Sequence, residues 1–518
     1  MKKILFVFLA LVVTLLLVGC GEVVEYSGAS DGSVKSDASS VASVGQDVSS
    51  VESGEGDDGT GASNSDTDVN GSVDSDGKDT SATDSDTGAE DSAVDSSELS
   101  GADSSEKDEG KDEEDGKGEE TEYSFELTLD ENASLGLLSG VITQKPSGEK
   151  YELYFGNESG MLEGYTKIGE GEGDFTLEGV VVPPEATRVI ILVGEDEFFV
   201  EIPEECLLFG KDAFIFGVLS DVHYNKYYSD GENDDALFAF DNALDYFDKI
   251  GVQMVGVTGD LSNDGEESAL INYSEAISGR DYPVFAVVGN HDMPAYKNGY
   301  WAQHITANIE NCEFSSGREP DFIYKPQGED GDVFIFLNLT RWSYSDKSLR
   351  VISNPQLEWL EEKLEQYKDR QVYLFFHLFL CGPDGEKHTG VGNIMNPGGY
   401  TYPLPYQYAN ADERWFRALM RDYKNVVYFS GHSHWMFEME IYGDWLNYSN
   451  FDGEYCHMVH VPSVTEPRWI GENDTNRTGM HGQSSQGIVM YDYGDISVLV
   501  PIDFITGTIF TEYMEIIK

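Results

Sequence analysis

Short apolar runs alternate with amphipathic segments from Phe214 onward, and this alternation limits the possible folds more than any other feature. The apolar runs cover residues 214–219, 252–257, 283–288, 372–376 and 426–429. Between them, residues 235–250, 357–367 and 415–423 carry large apolar side chains at the three- and four-residue spacing of a helix. From His457 to the C-terminus the sequence is mostly strand-like, with glycine-rich connections. Strands and helices that alternate in this way predict an α/β core.

Residues of the kinds that bind metal ions follow the end of each apolar run. In chain order they are Asp221 and His223, Asp260, Asn290 and His291, His377, and finally His432 and His434. Open α/β sheets bring together the loops at the carboxyl ends of their strands, so we expect these side chains to converge on one site. Residues two apart in an extended segment point the same way, so Asp221 and His223 can bind one ion. Five of the ten histidines stand in these loops, which makes the set far more specific than any single motif.

This ordered set of motifs resembles the signature of the calcineurin-like metallophosphoesterase family. That signature is Asp-x-His, Gly-Asp, Gly-Asn-His-Asp/Glu, His and Gly-His-x-His, and the chain carries every part in this order between Phe214 and its C-terminus. The resemblance implies an α/β sandwich of two sheets flanked by helices, which we place at residues 208–518. It also implies a hydrolase that cleaves phosphoester bonds with a dinuclear metal centre and a bridging hydroxide.

The resemblance also implies a role for each motif residue. The first metal is expected on Asp221, His223 and His434, and the second on Asn290, His377 and His432. Asp260 is expected to bridge the two ions. His291 is expected to lie beside the second metal, contact the phosphate and act as general acid on the leaving oxygen. Carboxylate and imidazole ligands suit manganese, iron, zinc or nickel, and the sequence does not choose among these metals.

Two departures from familiar subfamilies follow Asp260. Purple acid phosphatases have a tyrosine ligand where this chain has Asn263, so an iron–tyrosinate site is not expected. Protein serine/threonine phosphatases have an aspartate there and then an arginine that grips the substrate, whereas this chain has Asn263 and the acidic Asp264. As candidate substrate contacts the sequence offers Asn263 and the two residues that follow the first ligand pair, Tyr224 and Asn225.

The N-terminus has the form of a bacterial lipoprotein signal peptide. Lys2 and Lys3 precede an apolar run over residues 4–18, which is shorter than the roughly 20 residues of a membrane-spanning helix. Cys20 then stands where cleavage is expected, as in a lipobox, although a plain signal peptide with an incidental cysteine is the alternative. We therefore expect residues 1–20 to be removed or modified and lipidated Cys20 to anchor the protein outside the cytoplasm, on the cell membrane.

Residues 21–122 are rich in Ser, Asp, Gly and Glu and contain few large apolar side chains. Such a segment buries too little apolar area to offset its backbone entropy, so we expect a disordered spacer that holds the rest of the chain away from the membrane, with a cell wall as a further candidate partner. The formal net charge of −64 leaves no basic footprint, and we expect no nucleic acid partner.

Residues 123–207 show short β-favouring runs separated by Gly, Asn and Pro, which predicts a small β-sandwich of immunoglobulin-like or fibronectin-like type. Its role could be that of a passive spacer, a surface-binding module or a partner of the catalytic domain, and the first is favoured.

Beyond Cys20 the cysteines are Cys206, Cys312, Cys381 and Cys456. The sequence does not decide whether these four cysteines are free thiols or form two disulfides, and two disulfides could pair in three ways.

The function that these observations predict is metal-dependent hydrolysis of phosphoester bonds on the outer face of the membrane, with phosphodiesters slightly favoured over phosphomonoesters. The alternative is a non-catalytic surface binding protein built on the same fold. Since degenerate copies of an enzyme usually lose ligands and all seven are present here, the enzyme is the preferred interpretation.

Overall fold

A computed structural model describes residues 123–224, 234–316, 320–342, 351–380, 411–438, 447–449, 455–469, 478–480 and 482–517. The predicted signal peptide, Cys20, the predicted linker, Asn225 and Cys381 lie outside these ranges. No helix within them is long and apolar enough to span a membrane. The described cysteines Cys206, Cys312 and Cys456 are free thiols.

The first eight strands form a small antiparallel β-sandwich. One sheet has the order β1-β2-β6 and the other the order β4-β3-β7-β8, with β5 also paired to β3. The strands are β1 (Ser124–Leu129), β2 (Leu137–Lys145), β3 (Lys150–Asn157), β4 (Gly160–Met161), β5 (Gly169–Glu172), β6 (Phe175–Val181), β7 (Arg188–Val193) and β8 (Asp196–Glu201). Alternate residues such as Leu153, Phe155 and Ile191 are fully buried between the sheets. The predicted β-sandwich is thus confirmed, and it buries one face of each strand as period-two patterning requires.

A six-stranded sheet of mixed direction follows, with the order β11-β10-β9-β21-β22-β23. Its strands are β9 (Phe214–Leu219), β10 (Met254–Val257), β11 (Val284–Ala286), β21 (Gln486–Asp492), β22 (Ser497–Asp503) and β23 (Glu515–Ile517). The first three run parallel, and β21 joins β9 in the antiparallel direction. The carboxyl ends of β9, β10 and β11 therefore meet along one edge.

A second sheet of seven strands has the order β12-β13-β14-β15-β16-β18-β17. Its strands are β12 (Cys312–Phe314), β13 (Phe322–Tyr324), β14 (Val333–Phe336), β15 (Val372–Phe375), β16 (Val426–Ser430), β17 (Asn447–Ser449) and β18 (His457–His460), and a separate pair is formed by β19 (Arg468–Trp469) and β20 (Thr478–Gly479). The neighbours β14, β15, β16 and β18 are parallel. They bring the His377 loop and the His432 loop to a common edge.

The two sheets pack face to face through a layer of aromatic rings. The Phe216 ring of the first sheet lies 5.0 Å from the Phe334 ring and 4.9 Å from the Tyr373 ring of the second sheet, centroid to centroid. Gly256 makes room for this layer, because a Cβ there would lie 2.2 Å from the Phe375 ring. Strands buried on both faces read as continuous apolar runs, which is why the sequence shows runs and not alternation.

Helices cover the outer faces of the two sheets, and Phe240 and Leu360 are examples of the side chains they bury. The helices are α1 (Asp234–Ile250), α2 (Glu267–Ile277), α3 (Met293–Asn298), α4 (Tyr300–His304), α5 (Asn354–Gln366) and α6 (Ala411–Asp422), and short 3₁₀ turns lie at Glu204–Cys206, Thr306–Asn308 and Thr511–Tyr513. A capping box begins α5, since the Ser353 and Gln356 side chains each bond the other's backbone N–H. The predicted α/β sandwich of two sheets flanked by helices is thus confirmed.

The β-sandwich is joined to the α/β domain by backbone hydrogen bonds. Tyr165 and Ile509 form a parallel bridge, in which the Thr166 N–H donates to the Ile509 carbonyl (2.9 Å) and the Ile509 N–H donates to the Gly164 carbonyl (2.8 Å). A Cβ at Gly164 would lie 2.4 Å from the Gly507 carbonyl oxygen. A tethered spacer would make no such contacts, so the segment packs as part of the α/β domain, the third of the roles left open by its sequence.

Candidate metal centre

The predicted ligands stand immediately after strands, and most of them adopt a backbone conformation that is unusual for their residue types. Within the described ranges six non-glycine residues have positive φ, and five of these are in the motifs. They are Asp221 (53°), His223 (48°), Asp260 (54°), His432 (73°) and His434 (65°). Left-handed backbone costs free energy for residues with a Cβ and persists only where the surroundings impose it. Its concentration here marks these loops as a functional site.

Hydrogen bonds between the loops impose this conformation. The Asp221 N–H donates to the Gly259 carbonyl (3.0 Å), and the His223 N–H donates to the Asp260 carbonyl (2.9 Å). The loop after β16 is bound to the loop after β9, because the His432 N–H donates to Asp221 Oδ2 (2.9 Å). The loops after β9, β10 and β16 thus hold one another in place.

Two glycines in the motifs leave space for the carboxylates. A Cβ at Gly289 would lie 2.1 Å from Asp260 Oδ1, and one at Gly431 would lie 1.8 Å from Ser220 Oγ and 2.5 Å from Asp221 Oδ2. Any larger residue would displace a carboxylate. The Gly-Asn and Gly-His pairs are therefore needed for the close approach of loops.

The first candidate group consists of Asp221, His223 and His434, all buried. Asp221 Oδ1 lies 3.1 Å from His434 Nε2 and 3.6 Å from His223 Nε2, and the two ring nitrogens are 3.0 Å apart. Three donor atoms from two loops thus surround one point.

The second candidate group consists of Asp260, His377 and His432, also buried, together with Asn290. His377 Nε2 lies 3.1 Å from Asp260 Oδ2, 3.0 Å from Asn290 Oδ1 and 3.2 Å from His432 Nδ1. The structure thus brings the remaining predicted ligands into one cluster.

Asp260 connects the two groups. Its Oδ1 accepts the His291 N–H (2.8 Å), which fixes the orientation of the carboxylate. Its Oδ2 then lies 3.1 Å from His377 Nε2 in the second group and 3.7 Å from His223 Nε2 in the first. One oxygen therefore faces both groups, which is the arrangement that a bridging ligand needs.

The buried carboxylates and imidazoles set one another's charge. Burial by itself would raise the pKa of Asp221 and of Asp260, but the neighbouring histidines outweigh it and both pKa values lie below the usual range of an aspartic acid. Burial likewise opposes charge on His377, yet the Asp260 carboxylate raises the pKa of His377 to about 9. Burial, reinforced by His377, holds the pKa of His432 well below its ordinary value. The buried site therefore favours an additional positive charge beside its two carboxylates.

The donor atoms in both groups suit metal ions. All are imidazole nitrogens or carboxylate and amide oxygens, a set that zinc, iron, manganese and nickel accept. His377 Nδ1 donates to the Thr258 carbonyl (2.9 Å), so its Nε2 faces the oxygens of Asn290 and Asp260. These buried acceptors repel one another unless a proton or a cation lies among them. The residues present therefore fit one metal ion in each group.

His291, which was predicted beside the second metal, lies beside the first group, with its ring centroid 4.9 Å from that of His223. Its Nδ1 donates to the Asn263 backbone carbonyl, so Nε2 is the nitrogen available to a reacting group. Asn263 thus orients His291 through its main chain. The Asn263 amide group instead donates to Asp264 Oδ2 (2.9 Å).

Tyr224 does not line the site, contrary to the prediction that it contacts substrate. Its side chain is 1% exposed and packs against the Phe240 ring, 5.9 Å between centroids, in the core beneath the sheet. Burial raises the pKa of its hydroxyl far above the ordinary value. Tyr224 is therefore a core residue.

Asp292 was missed by the sequence analysis, although it ends the Gly-Asn-His-Asp motif. It is fully buried, and its carboxylate accepts the Ser262 N–H and Oγ–H (2.8 Å each), the Gly289 N–H (3.0 Å) and the Leu261 N–H (3.1 Å). These bonds tie the loop that carries Asp260 to the loop that carries Asn290. Its place in the motif was the available signal, and only the structure shows what it binds.

The two sides of the site differ in chemistry. The rings of Trp342 and Phe379 lie 5.7 and 6.0 Å from the His432 ring. Near the first group, Glu466 Oε2 lies 3.4 Å from His434 Nδ1 and 3.1 Å from Arg468 Nη2. An aromatic wall thus borders one group, and an ion pair borders the other.

Comparison with known proteins agrees with this geometry. The family model of calcineurin-like phosphoesterases matches residues 214–436. A probable glycerophosphodiester phosphodiesterase (GpdQ) of Arcobacter nitrofigilis is 24% identical over 130 residues, which are 24% of this chain and 41% of that protein. The chain therefore spans about two fifths of the length of this curated relative.

The search of solved structures also finds two phosphatases. A dimetal phosphatase from Danio rerio has a TM-score of 0.41 and 16% identity, with 59% of this chain and 99% of that chain covered. A purple acid phosphatase from yellow lupin (Lupinus luteus) has a TM-score of 0.37 and 13% identity, with 74% and 72% covered. The match to the calcineurin-like phosphoesterase model thus covers residues 214–436, the part of the chain that carries all seven predicted metal ligands.

Proposed function

We propose that this protein hydrolyses phosphoester bonds with two metal ions, the first on Asp221, His223 and His434 and the second on Asn290, His377 and His432. Asp260 would be the ligand shared by both ions. The observation that carries the proposal is that Asp260 Oδ2 faces both groups, at 3.1 Å from His377 Nε2 and 3.7 Å from His223 Nε2. Two bound ions supply Lewis acidity, a water of lowered pKa and charge neutralisation at the phosphate.

The protein's own residues orient this chemistry and move the proton. His291 carries its Nδ1 proton toward the Asn263 carbonyl, which fixes the ring and presents Nε2 at the border of the site. A protonated Nε2 can donate to the leaving oxygen, which is the role of a general acid. The Asp260 contact to the His291 N–H (2.8 Å) holds this acid at a constant distance from the bridging carboxylate.

Phosphodiesters are the favoured substrates. A diester carries one negative charge at its phosphate, whereas a monoester carries up to two. Asp264 is exposed directly beside Asn263, close to the loop that holds His291, and its carboxylate repels the more highly charged ester more strongly. The name of the curated relative, a probable glycerophosphodiester phosphodiesterase, points the same way.

Activity assays of protein reconstituted with metal ions test the proposal. Native protein loaded with manganese, zinc, iron or nickel is assayed on bis-nitrophenyl phosphate and on nitrophenyl phosphate. Asp260→Asn should abolish turnover, because an amide cannot supply the bridging charge. Glu358→Gln, which removes an exposed carboxylate on α5 outside the motif loops, is the matched control and should keep turnover. The proposal fails if metal-loaded native protein hydrolyses no member of a broad phosphoester panel, or if Asp260→Asn retains turnover. Binding without hydrolysis would favour the alternative of a non-catalytic surface protein.

The protein is proposed to act on the outer face of the cell membrane, anchored through lipid on Cys20. The support is the order of Lys2 and Lys3, the apolar run over residues 4–18 and the cysteine at the expected cleavage site. Expression in a bacterial host with labelled fatty acid should label the native chain in the membrane fraction and leave Cys20→Ser unlabelled. Equal labelling of the two chains, or no label on the native one, would contradict the anchor.

A further inference from the structure

A short segment, Ser463 to Arg468, packs against the loops that carry Asp221 and His434 of the first candidate group. We propose that Glu466 in this segment is a positioning residue that holds His434 for the first metal ion, and that it makes the first ion more tightly bound than the second. This inference rests on the proposed dinuclear centre and concerns a residue outside the predicted ligand set.

Glu466 meets the ring nitrogen of His434 that faces away from the group. The carboxylate Oε2 lies 3.4 Å from His434 Nδ1, and the Glu466 backbone carbonyl lies 3.3 Å from the same nitrogen. A proton on Nδ1 is thereby shared between two oxygens of one residue, and Nε2 is left to face Asp221 Oδ1 at 3.1 Å. The Glu466 side chain is only 13% exposed, so solvent screens this contact weakly.

Arg468 holds the carboxylate in place from the other side. Its Nη2 lies 3.1 Å from the same Glu466 Oε2, and its backbone N–H donates to the His434 carbonyl (2.7 Å). Both ends of Glu466 are thus fixed, and its orientation toward His434 is not a chance rotamer of a surface side chain.

The same segment also binds the backbone of Asp221, the carboxylate of the first group. Ser463 Oγ donates to the Asp221 carbonyl (2.8 Å), and Thr465 Oγ1 donates to the Val222 carbonyl (2.8 Å). The Glu466 N–H in turn donates to Ser463 Oγ (2.8 Å). Two ligands of the first group, from loops after different strands, are therefore tied to one segment.

Among the described residues, His377 of the second group has a neutral carbonyl in the place that Glu466 takes behind His434. His377 Nδ1 donates to the neutral Thr258 carbonyl (2.9 Å). A carboxylate behind a metal-binding histidine increases the basicity of the ligating nitrogen more than a carbonyl does, and loss of such a partner costs about 10–100-fold in metal affinity. This difference predicts unequal affinities in the two halves of the centre.

The test is a calorimetric titration of metal-free full-length protein with Mn²⁺ and, separately, with Zn²⁺. Native protein should bind two ions with different affinities. Glu466→Ala should weaken the tighter site by about 10–100-fold and leave the other within about twofold, and Glu466→Gln should weaken it less, because its amide oxygen can still accept the Nδ1 proton. Glu358→Gln, on the exposed face of α5, is the matched control, and circular dichroism and thermal unfolding check the fold.

The inference is overturned if both affinities stay unchanged in Glu466→Ala, if both fall equally, or if native protein binds its ions with equal affinity. The titration does not depend on hydrolysis, so the two proposals can fail separately. If native protein binds two ions with unequal affinities but cleaves no phosphoester, the proposed function is refuted and the role of Glu466 stands. Fewer than two ions on native protein would overturn both.

Discussion

Asp292→Asn should be among the most destabilising single substitutions that leave every predicted metal ligand in place. The carboxylate accepts four hydrogen bonds in a fully buried position, two at each oxygen. An asparagine keeps one oxygen and replaces the other with an NH₂ group, which itself is a donor. Two buried donors therefore lose their acceptor.

The magnitude follows from these contacts. A buried donor left without an acceptor costs about 1–3 kcal/mol, so two of them cost about 2–6 kcal/mol. Total stabilities of domains are only about 5–15 kcal/mol, so the loss is a large fraction. Burial, followed by the charge of Asp260, raises the pKa of Asp292 to about 6, and the side chain is therefore ionised when the comparison is made at pH 7.5.

Urea unfolding of metal-free protein measures the effect, with chelator present so that metal affinity does not contribute. Asp264→Asn is the control, since it removes an exposed carboxylate from the same loop. Asp292→Asn should lower the midpoint strongly at an unchanged m-value, while the control should stay within about 0.5 kcal/mol of native protein. A loss of less than about 1 kcal/mol in Asp292→Asn would refute the view that this carboxylate ties the two loops together.

Three further predictions concern packing and pH. Gly431→Ala should weaken metal binding and lower the melting temperature, since its Cβ would lie 1.8 Å from Ser220 Oγ, and normal titration and melting curves would contradict this. Apparent metal affinity should rise from pH 6 to about pH 9, because the pKa of His377 is raised to about 9 and metal must displace that proton; a flat titration series would oppose it. Burial and the neighbouring Asp492 raise the pKa of Asp332 to about 8, so its contribution to stability is full below about pH 4 and is lost as pH rises to 8. Asp332→Asn should flatten the decline in melting temperature over that range, and an unchanged slope would speak against the carboxyl pair.

Much of the fold was predictable because its strands are buried on both faces. A central strand of a two-sheet sandwich contacts a helix on one side and the other sheet on the opposite side, so runs such as Phe214–Leu219 contain almost no polar residue. The short edge strands, such as Val284–Ala286, were harder to bound, since few residues define them. The packing of the β-sandwich onto the α/β domain had no local signal, because it depends on backbone hydrogen bonds at Tyr165 and Ile509.

The candidate site was likewise predictable only in part. The order of the motifs after the strands by itself determined which residues converge, because loops at the carboxyl ends of neighbouring parallel strands must meet at one edge. Only the tertiary structure decided which other residues orient these ligands. Asp292, Glu466 and the Asn263 carbonyl contact site residues that are distant from them in the chain. Tyr224 is not a substrate contact, because its side chain is buried in the core. Residue type and spacing reveal groups that share a strand end, whereas the partners that orient them are set by how the loops cross in space.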